Sequence, residues 1–192
     1  LHFGRAKLGC RAYLAAKGEW KVPKWLGSAS VISNLLHMKD LPQPLKKDQS
    51  IEVNTHAFIP IRKYALSSIP VYSSCYIIRV ITGPEFDQFN IEQVQSFFQQ
   101  TFEVSPDSNR MGYRLKGSLK DYQPERDEIS SGVVEGTIQI THSGQPIILT
   151  ADAQTTGGYP RIAHVIAEDL SIIAQMKAGE EVKFMLVSLS DL

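Results

Sequence analysis

The densest run of groups able to do chemistry is Asp152 to Arg161, DAQTTGGYPR, directly after the apolar segment Pro146 to Thr150. A carboxylate, an amide, two hydroxyls and two glycines thus follow a stretch with the character of a buried strand. Asp152 could bind an N–H group or accept a proton. Gln154, Thr155 and Thr156 add donors and acceptors without net charge. Gly157 and Gly158 let the backbone approach a ligand and present its N–H groups, with Tyr159 beside them. The combination suits a small polar substrate carrying an amide. The same run also reads as a tight turn in which Asp152 caps backbone amides and the glycines reverse the chain.

A second cluster is Ser108 to Leu115, SNRMGYRL. In a strand, Arg110, Gly112 and Arg114 would share one face, and Met111, Tyr113 and Leu115 the other. Two guanidinium groups on one face can hold a carboxylate or phosphate bidentately, or can be ion-paired surface arginines. In Glu135 to Gln139, Gln139 could face a site while Gly136 could mark a bulge. Walker, G-x-G-x-x-G and G-x-S-x-G patterns are absent. His2, His37, His56, His142 and His164 each lack a second His or Cys at ligand spacing, so structural or surface roles are expected and no metal site.

Mostly strands must position these residues. Gly9 to Ala16, Ser50 to Pro60, Tyr76 to Thr82, Val133 to Ile140, Pro146 to Thr150 and Glu181 to Leu189 carry strand signals, and Ser143-Gly144 marks a hairpin turn between the fourth and fifth. In the last, Val182, Phe184 and Leu186 should share a buried face. A helix is expected from Asn90, capped by Asn90 with Gln93, its apolar stripe formed by Val94, Phe97, Phe98 and Phe102. A second runs from about Ala167 to Met176, with Leu170, Ile173 and Ala174 inward and Gly179 as a stop. Leu41 to Asp48 reads as a loop and Tyr64 to Pro70 as a subdomain junction. Many short strands with two short helices predict a mainly β protein, a barrel or sandwich.

The 192 residues carry 20 Lys plus Arg against 20 Asp plus Glu, scattered rather than blocked. No electrostatic pull toward nucleic acid or anionic membrane follows. No apolar run reaches the length of a membrane span. Cys10 and Cys75 form no C-x-x-C pair and read as buried thiols in a reducing compartment, the cytoplasm.

Taken in order, Asn109-Arg110-Met111-Gly112-Tyr113-Arg114-Leu115, Gly136-Thr137-Ile138-Gln139, Gly144-Gln145-Pro146-Ile147-Ile148-Leu149 and Asp152-Ala153-Gln154-Thr155-Thr156-Gly157-Gly158-Tyr159-Pro160 resemble the KipA family, also described as allophanate hydrolase subunit 2. That family includes the C subunit of bacterial 5-oxoprolinase and the matching half of the urea carboxylase carboxyltransferase domain. Arg11-Ala12-Tyr13-Leu14-Ala15 with Gly18, Leu26-Gly27-Ser28 with Ser30, Arg79-Val80 and Gly83-Pro84 extend the resemblance over nearly the whole chain. Departures fall in the first third. Lys17-Gly18-Glu19-Trp20 stands where the family has a glycine pair and an aliphatic residue, and Leu41 to Asp48 lacks a glycine-rich stretch.

The resemblance implies a cyclophilin-like β-barrel over residues 67–192, preceded at 1–66 by the remainder of an incomplete N-terminal subdomain. It implies a subunit of an ATP-dependent amide or lactam hydrolase such as 5-oxoprolinase, working with a KipI-like subunit and a third subunit, with ATP acting through the complex. Half of a biotin-dependent carboxyltransferase acting on urea, and a non-catalytic KipA-type antagonist of a kinase inhibitor, are the alternatives. Asp152 and Asn109 would be catalytic. Arg110, Met111, Tyr113, Arg114, Gln139, Gln154, Thr155, Thr156, Gly157, Gly158 and Tyr159 would bind substrate.

Overall fold

Period-two alternation, where it survives contact with the rest of the chain, decides the strands. The structure is a computed structural model, which describes residues 4–32, 35–55, 65, 71–123, 129–188 and 190. Glu19–Lys21 (β1) and Glu52–Asn54 (β2) pair antiparallel, with Trp20 opposite Val53. They lie in one compact unit, residues 12–69, while residues 1–11 and 70–192 form another. The expected strand Ser50 to Pro60 is thus three residues long within the described part. Its end from His56 onward, and the Tyr64 to Pro70 junction apart from Ala65, lie outside the described residues, as do His2 and His56.

The second unit is a closed seven-stranded barrel with two short helices. The expected mainly β class with a barrel is what the chain adopts. Its elements are β3 (Cys75–Thr82), α1 (Ile91–Gln99), β4 (Phe102–Val104), β5 (Gly112–Lys116), β6 (Ser131–Gly132), β7 (Thr137–Ile140), β8 (Pro146–Leu149), β9 (Thr156–Gly157), β10 (Arg161–Val165), α2 (Ala167–Ile173) and β11 (Glu181–Leu186). Around the barrel the order is β10-β3-β11-β4-β5-β8-β7, with β7 pairing β10 to close it. β3 and β11 are parallel, and the other barrel pairs are antiparallel. β6 and β9 form a separate two-stranded ribbon.

Inward residues of every barrel strand build one core. Ile78, Val80, Ile138, Ile140, Ile148, Ile162 and Val182 are fully buried. Asn90 caps α1 as expected: its side chain accepts from the Gln93 N–H, and the Gln93 side chain accepts from the Asn90 N–H. Phe97 then stacks on Phe184 with ring centroids 4.6 Å apart. Phe102 does not extend the helical stripe. The helix ends at Gln99, and Phe102 enters the core from β4, its ring tilted against that of Phe97. Helix α2 is tied to β3 by buried Asp169, which accepts from the Arg79 backbone N–H (2.7 Å) and guanidinium (2.6 Å).

Other expectations change for local reasons. Gly9 to Ala16 forms no strand: the N–H groups of Cys10 and Arg11 both donate to the Gln175 side chain, at 3.1 and 3.0 Å, instead of to a ladder. Val133 to Ile140 is a strand only from Thr137, because the Thr137 N–H closes a turn onto Val134. The last strand stops at Leu186, which is exposed rather than on the buried face with Val182 and Phe184. The second helix ends at Ile173, short of Met176. Cys10 is exposed and Cys75 half-buried, so neither thiol is the buried one expected. The hairpin turn is as expected, with Gly144 at φ +78°.

Phe97 touches three other aromatic rings and is fully buried. Phe97→Ala should cost about 4 kcal/mol through lost burial and a residual cavity. A urea unfolding curve with an unchanged slope and a lower midpoint is the expected result.

Candidate functional site

The backbone between β8 and β9 leaves the barrel at Thr150 and doubles against the segment leading into β5. The Thr150 hydroxyl donates to the Arg110 carbonyl at 2.6 Å, and its N–H donates to the Met111 carbonyl at 3.2 Å. The Asp152 N–H donates to the Arg110 carbonyl at 2.9 Å. Asn109 closes the other turn: its Oδ1 accepts from the Met111 N–H at 2.8 Å, and its own N–H donates to the Gly112 carbonyl. These bonds deliver two opposite charges to one place. Arg110 donates from Nε and Nη2 to the two Asp152 carboxylate oxygens, at 2.8 and 2.9 Å.

The pair is half in water, with the Arg110 side chain 52% and the Asp152 side chain 35% exposed. Such a pair contributes little to folding, on the order of 0–1 kcal/mol. Its fork geometry nevertheless fixes both heads. Asp152 therefore does not cap backbone amides, as the turn reading had it; its carboxylate meets a guanidinium. Beyond it, exposed Gln154, Thr155 and Thr156 face solvent.

The ribbon holds the far side of this loop. Gly132 lies opposite Thr156 and Ser131 opposite Gly157, and the Val133 N–H donates to the Thr155 carbonyl at 3.0 Å. Arg161 braces the ribbon, its Nη1 donating to the Gly132 carbonyl at 2.7 Å while Nε and Nη2 bind the Glu85 carboxylate. That guanidinium and a backbone N–H hold the Glu85 carboxyl below the usual carboxylate range. Next to the ribbon is a cleft of about 470 Å³ lined by Thr82, Val134, Thr137, Arg161 and His164. The His164 Nδ1 lies 3.5 Å from the Thr137 hydroxyl, and burial lowers its pKa, favouring the neutral ring.

Residues 1–186 match the family described as "Carboxyltransferase domain, subdomain A and B". The chain belongs to that family. It is 35% identical over 97% of its length to the C subunit of 5-oxoprolinase from Escherichia coli, and 34% identical over its whole length to that of Haemophilus influenzae. It spans 59% and 60% of those relatives' own length. The crystal structure of the Kluyveromyces lactis urea carboxylase superposes with a TM-score of 0.78 at 27% identity, over 96% of this chain and 18% of that one.

Within this carboxyltransferase-family chain the site residues expected from sequence divide. Asn109, Arg110, Met111 and Asp152 come together, with Gln154, Thr155 and Thr156 following on the same loop. Arg114 lies within β5, exposed and opposite Ile147, whereas Arg110 precedes the strand. Tyr113 points the other way, into the core: its hydroxyl donates to the Met176 carbonyl and accepts from Arg11 at 2.7 Å. Gln139 is buried behind the loop rather than open to it, with Gly157 against it. Gly158 is half-buried, and the ring of Tyr159 stands edge-on to His142. Sequence reasoning missed Thr150, Glu85 and the Ser131–Gly132 strand. A hydroxyl closing an otherwise apolar strand was the one available signal for Thr150. Among the described residues no group of three or more His, Cys, Asp or Glu could hold a metal ion, and no helix is long and apolar enough to cross a membrane.

Glu85→Gln should lose about 2 kcal/mol at neutral pH, because a charged hydrogen-bonding partner of Arg161 is removed. The folded pKa of Glu85 is depressed, so its contribution is present above the ordinary value of 4.5 and is lost as pH falls below that through the folded value. The wild-type protein should therefore lose more stability than the variant between neutral pH and pH values below 4.5. Parallel urea titrations across that range measure the difference.

Proposed function

We propose that this chain is part of an ATP-dependent lactam-opening hydrolase of the 5-oxoprolinase type, acting with a KipI-like subunit and a third subunit in the cytoplasm. The observation that carries the reading is the Arg110–Asp152 fork at the head of an uncharged polar loop. A planar amide needs one acceptor for its N–H and one donor for its C=O. Asp152 retains carboxylate lone pairs beyond the two facing Arg110. The Arg110 Nη1 has no partner among the described residues and can meet a substrate oxygen. Gln154 and Thr155 supply neutral donors and acceptors beside them. Asn109 would act by holding the turn that carries Arg110. Thr156 and Gly157 are paired with β6, so charge developing on oxygen would be met chiefly by Arg110, not by a row of backbone N–H groups. The relatives named as 5-oxoprolinase subunits support the choice of a cyclic amide.

The residues around Asp152 do not fit a nucleotide. The carboxylate would repel phosphates, Arg110 is engaged by it, and no phosphate-binding loop is present in this stretch. ATP is accordingly assigned to the complex, and no step is routed through this loop. A second reading, half of a biotin-dependent carboxyltransferase acting on urea, is favoured by the family match and by the likeness to the urea carboxylase. Urea would meet the same acceptor and donor. No lysine here stands in a biotin-attachment context, so biotin would arrive on a partner.

Asp152→Ala in the full-length protein, assembled with its partner subunits, should lower ATP-dependent glutamate release from 5-oxoproline by about 100-fold or more. The fold should survive, because the pair is largely solvent-screened. Unchanged turnover in a folded Asp152→Ala complex would sink the assignment. Carboxylation of urea by a biotinylated partner, in the absence of lactam opening, would favour the second reading.

A further inference from the structure

We infer that Gln139 is a positioning residue, whose buried amide sets the backbone of Gly157 to Tyr159 and thereby the stance of Gln154 to Thr156. The consequence for turnover rests on the proposed function; the structural part does not.

On β7, Ile138 and Ile140 are fully buried in the core cluster. Alternation turns Gln139, between them, to the outside of the barrel wall. An outward glutamine ordinarily lies in water, yet this one is 2% exposed. What covers it is the return of the polar loop. Its Nε2 donates to the Tyr159 carbonyl at 3.0 Å. A Cβ built on Gly157 would lie 2.7 Å from the same Nε2, closer than real Cβ atoms come, and a tight 3.2 Å from Oε1. Gly157 has no left-handed backbone to explain its identity, since its φ falls outside that region. The Gln139 amide occupies the space a side chain at 157 would take, so any larger residue there must displace that amide.

The loop is then held at its two ends by two different side-chain devices, with the β6 strand pairing along Thr155 to Gly157 between them. Asp152 is fixed at its start by Arg110, and Tyr159 at its end by Gln139. The Ile140 N–H, donating to the Pro160 carbonyl at 3.0 Å, continues the second attachment along β7. Gln154, Thr155 and Thr156 lie between these end anchors, and the backbone of Thr155 and Thr156 is paired with the ribbon strand. A leucine at 139 keeps the volume but leaves the Tyr159 carbonyl without its buried donor. The loop end should then lift toward water while the barrel, whose ladder bonds are backbone bonds, stays intact.

The test compares full-length wild-type protein with Gln139→Leu and Gly157→Ala by hydrogen–deuterium exchange. In both variants the amides of 154–159 should exchange about tenfold faster, the scale of one lost hydrogen bond, while β3 and β11 keep wild-type protection. In the assembled complex KM for 5-oxoproline should rise about tenfold, as expected when contacts made in the ground state are lost, while KM for ATP is unchanged. Should the leucine variant not fold, Gly157→Ala makes the same displacement by crowding Gln139 from the loop side. Unaltered exchange at 154–159, or acceleration spread evenly over the barrel, would overturn the inference. Exchange is read without turnover, so a wild-type complex inactive on 5-oxoproline would count against the proposed function alone.

Discussion

Strand β3 is hydrogen-bonded along both edges, to β10 on one side and in parallel to β11 on the other, and the pairing of β10 with β7 closes the sheet on itself. Closure removes the exposed edges that an open sheet of short strands would present. It also fixes which ends of which strands are neighbours. Met111 and Thr150 meet because β5 pairs with β8 through Gly112 opposite Leu149, and each chain end emerging from that pair lies against the other. The Arg110–Asp152 fork is a by-product of that register. A slip of one residue would turn the inward set of one strand outward and carry the two charges apart.

Beyond the ladder, short polar bonds convert a barrel end into a shaped loop. Thr150, Asn109 and the Asp152 backbone hold the segment before β5 against the segment after β8. Glu85 and Arg161, with side chains only 17% and 16% exposed, brace the β6–β9 ribbon on the far side. The two ion pairs play different parts. The sheltered Glu85–Arg161 pair is expected to matter for stability, since a partner removed there leaves a charge poorly solvated. The wetter Arg110–Asp152 pair adds little to stability and leaves both heads open to water.

Residue types and local periodicity were legible from the chain alone. The β-branched run at Tyr76 to Thr82, the Asn90 cap with Gln93, the Ser143-Gly144 turn and the mainly β class depend on neighbours within a few residues, and the sequence carries that information directly. So does the chemical character of Asp152 to Tyr159: one carboxylate, neutral amides and hydroxyls, and glycines. The family motif could be recognised for the same reason.

What only the tertiary structure decided is which of these groups meet. Nothing in SNRMGYRL says that Arg110 leaves the strand to bind Asp152 while Tyr113 turns inward to Met176 and Arg11, because that choice is made by pairing with residues some 40 or more positions away. Phe102 passed for the end of a helical stripe because spacing cannot distinguish one helix face from a helix followed by a strand entering the same core. Gln139 read as a residue that could face a site, and the loop that buries it returns from later in the chain. The sequence by itself determined the chemistry available and the local elements. Barrel closure, a long-range constraint, determined which side chains meet at the candidate site and which lie beneath it.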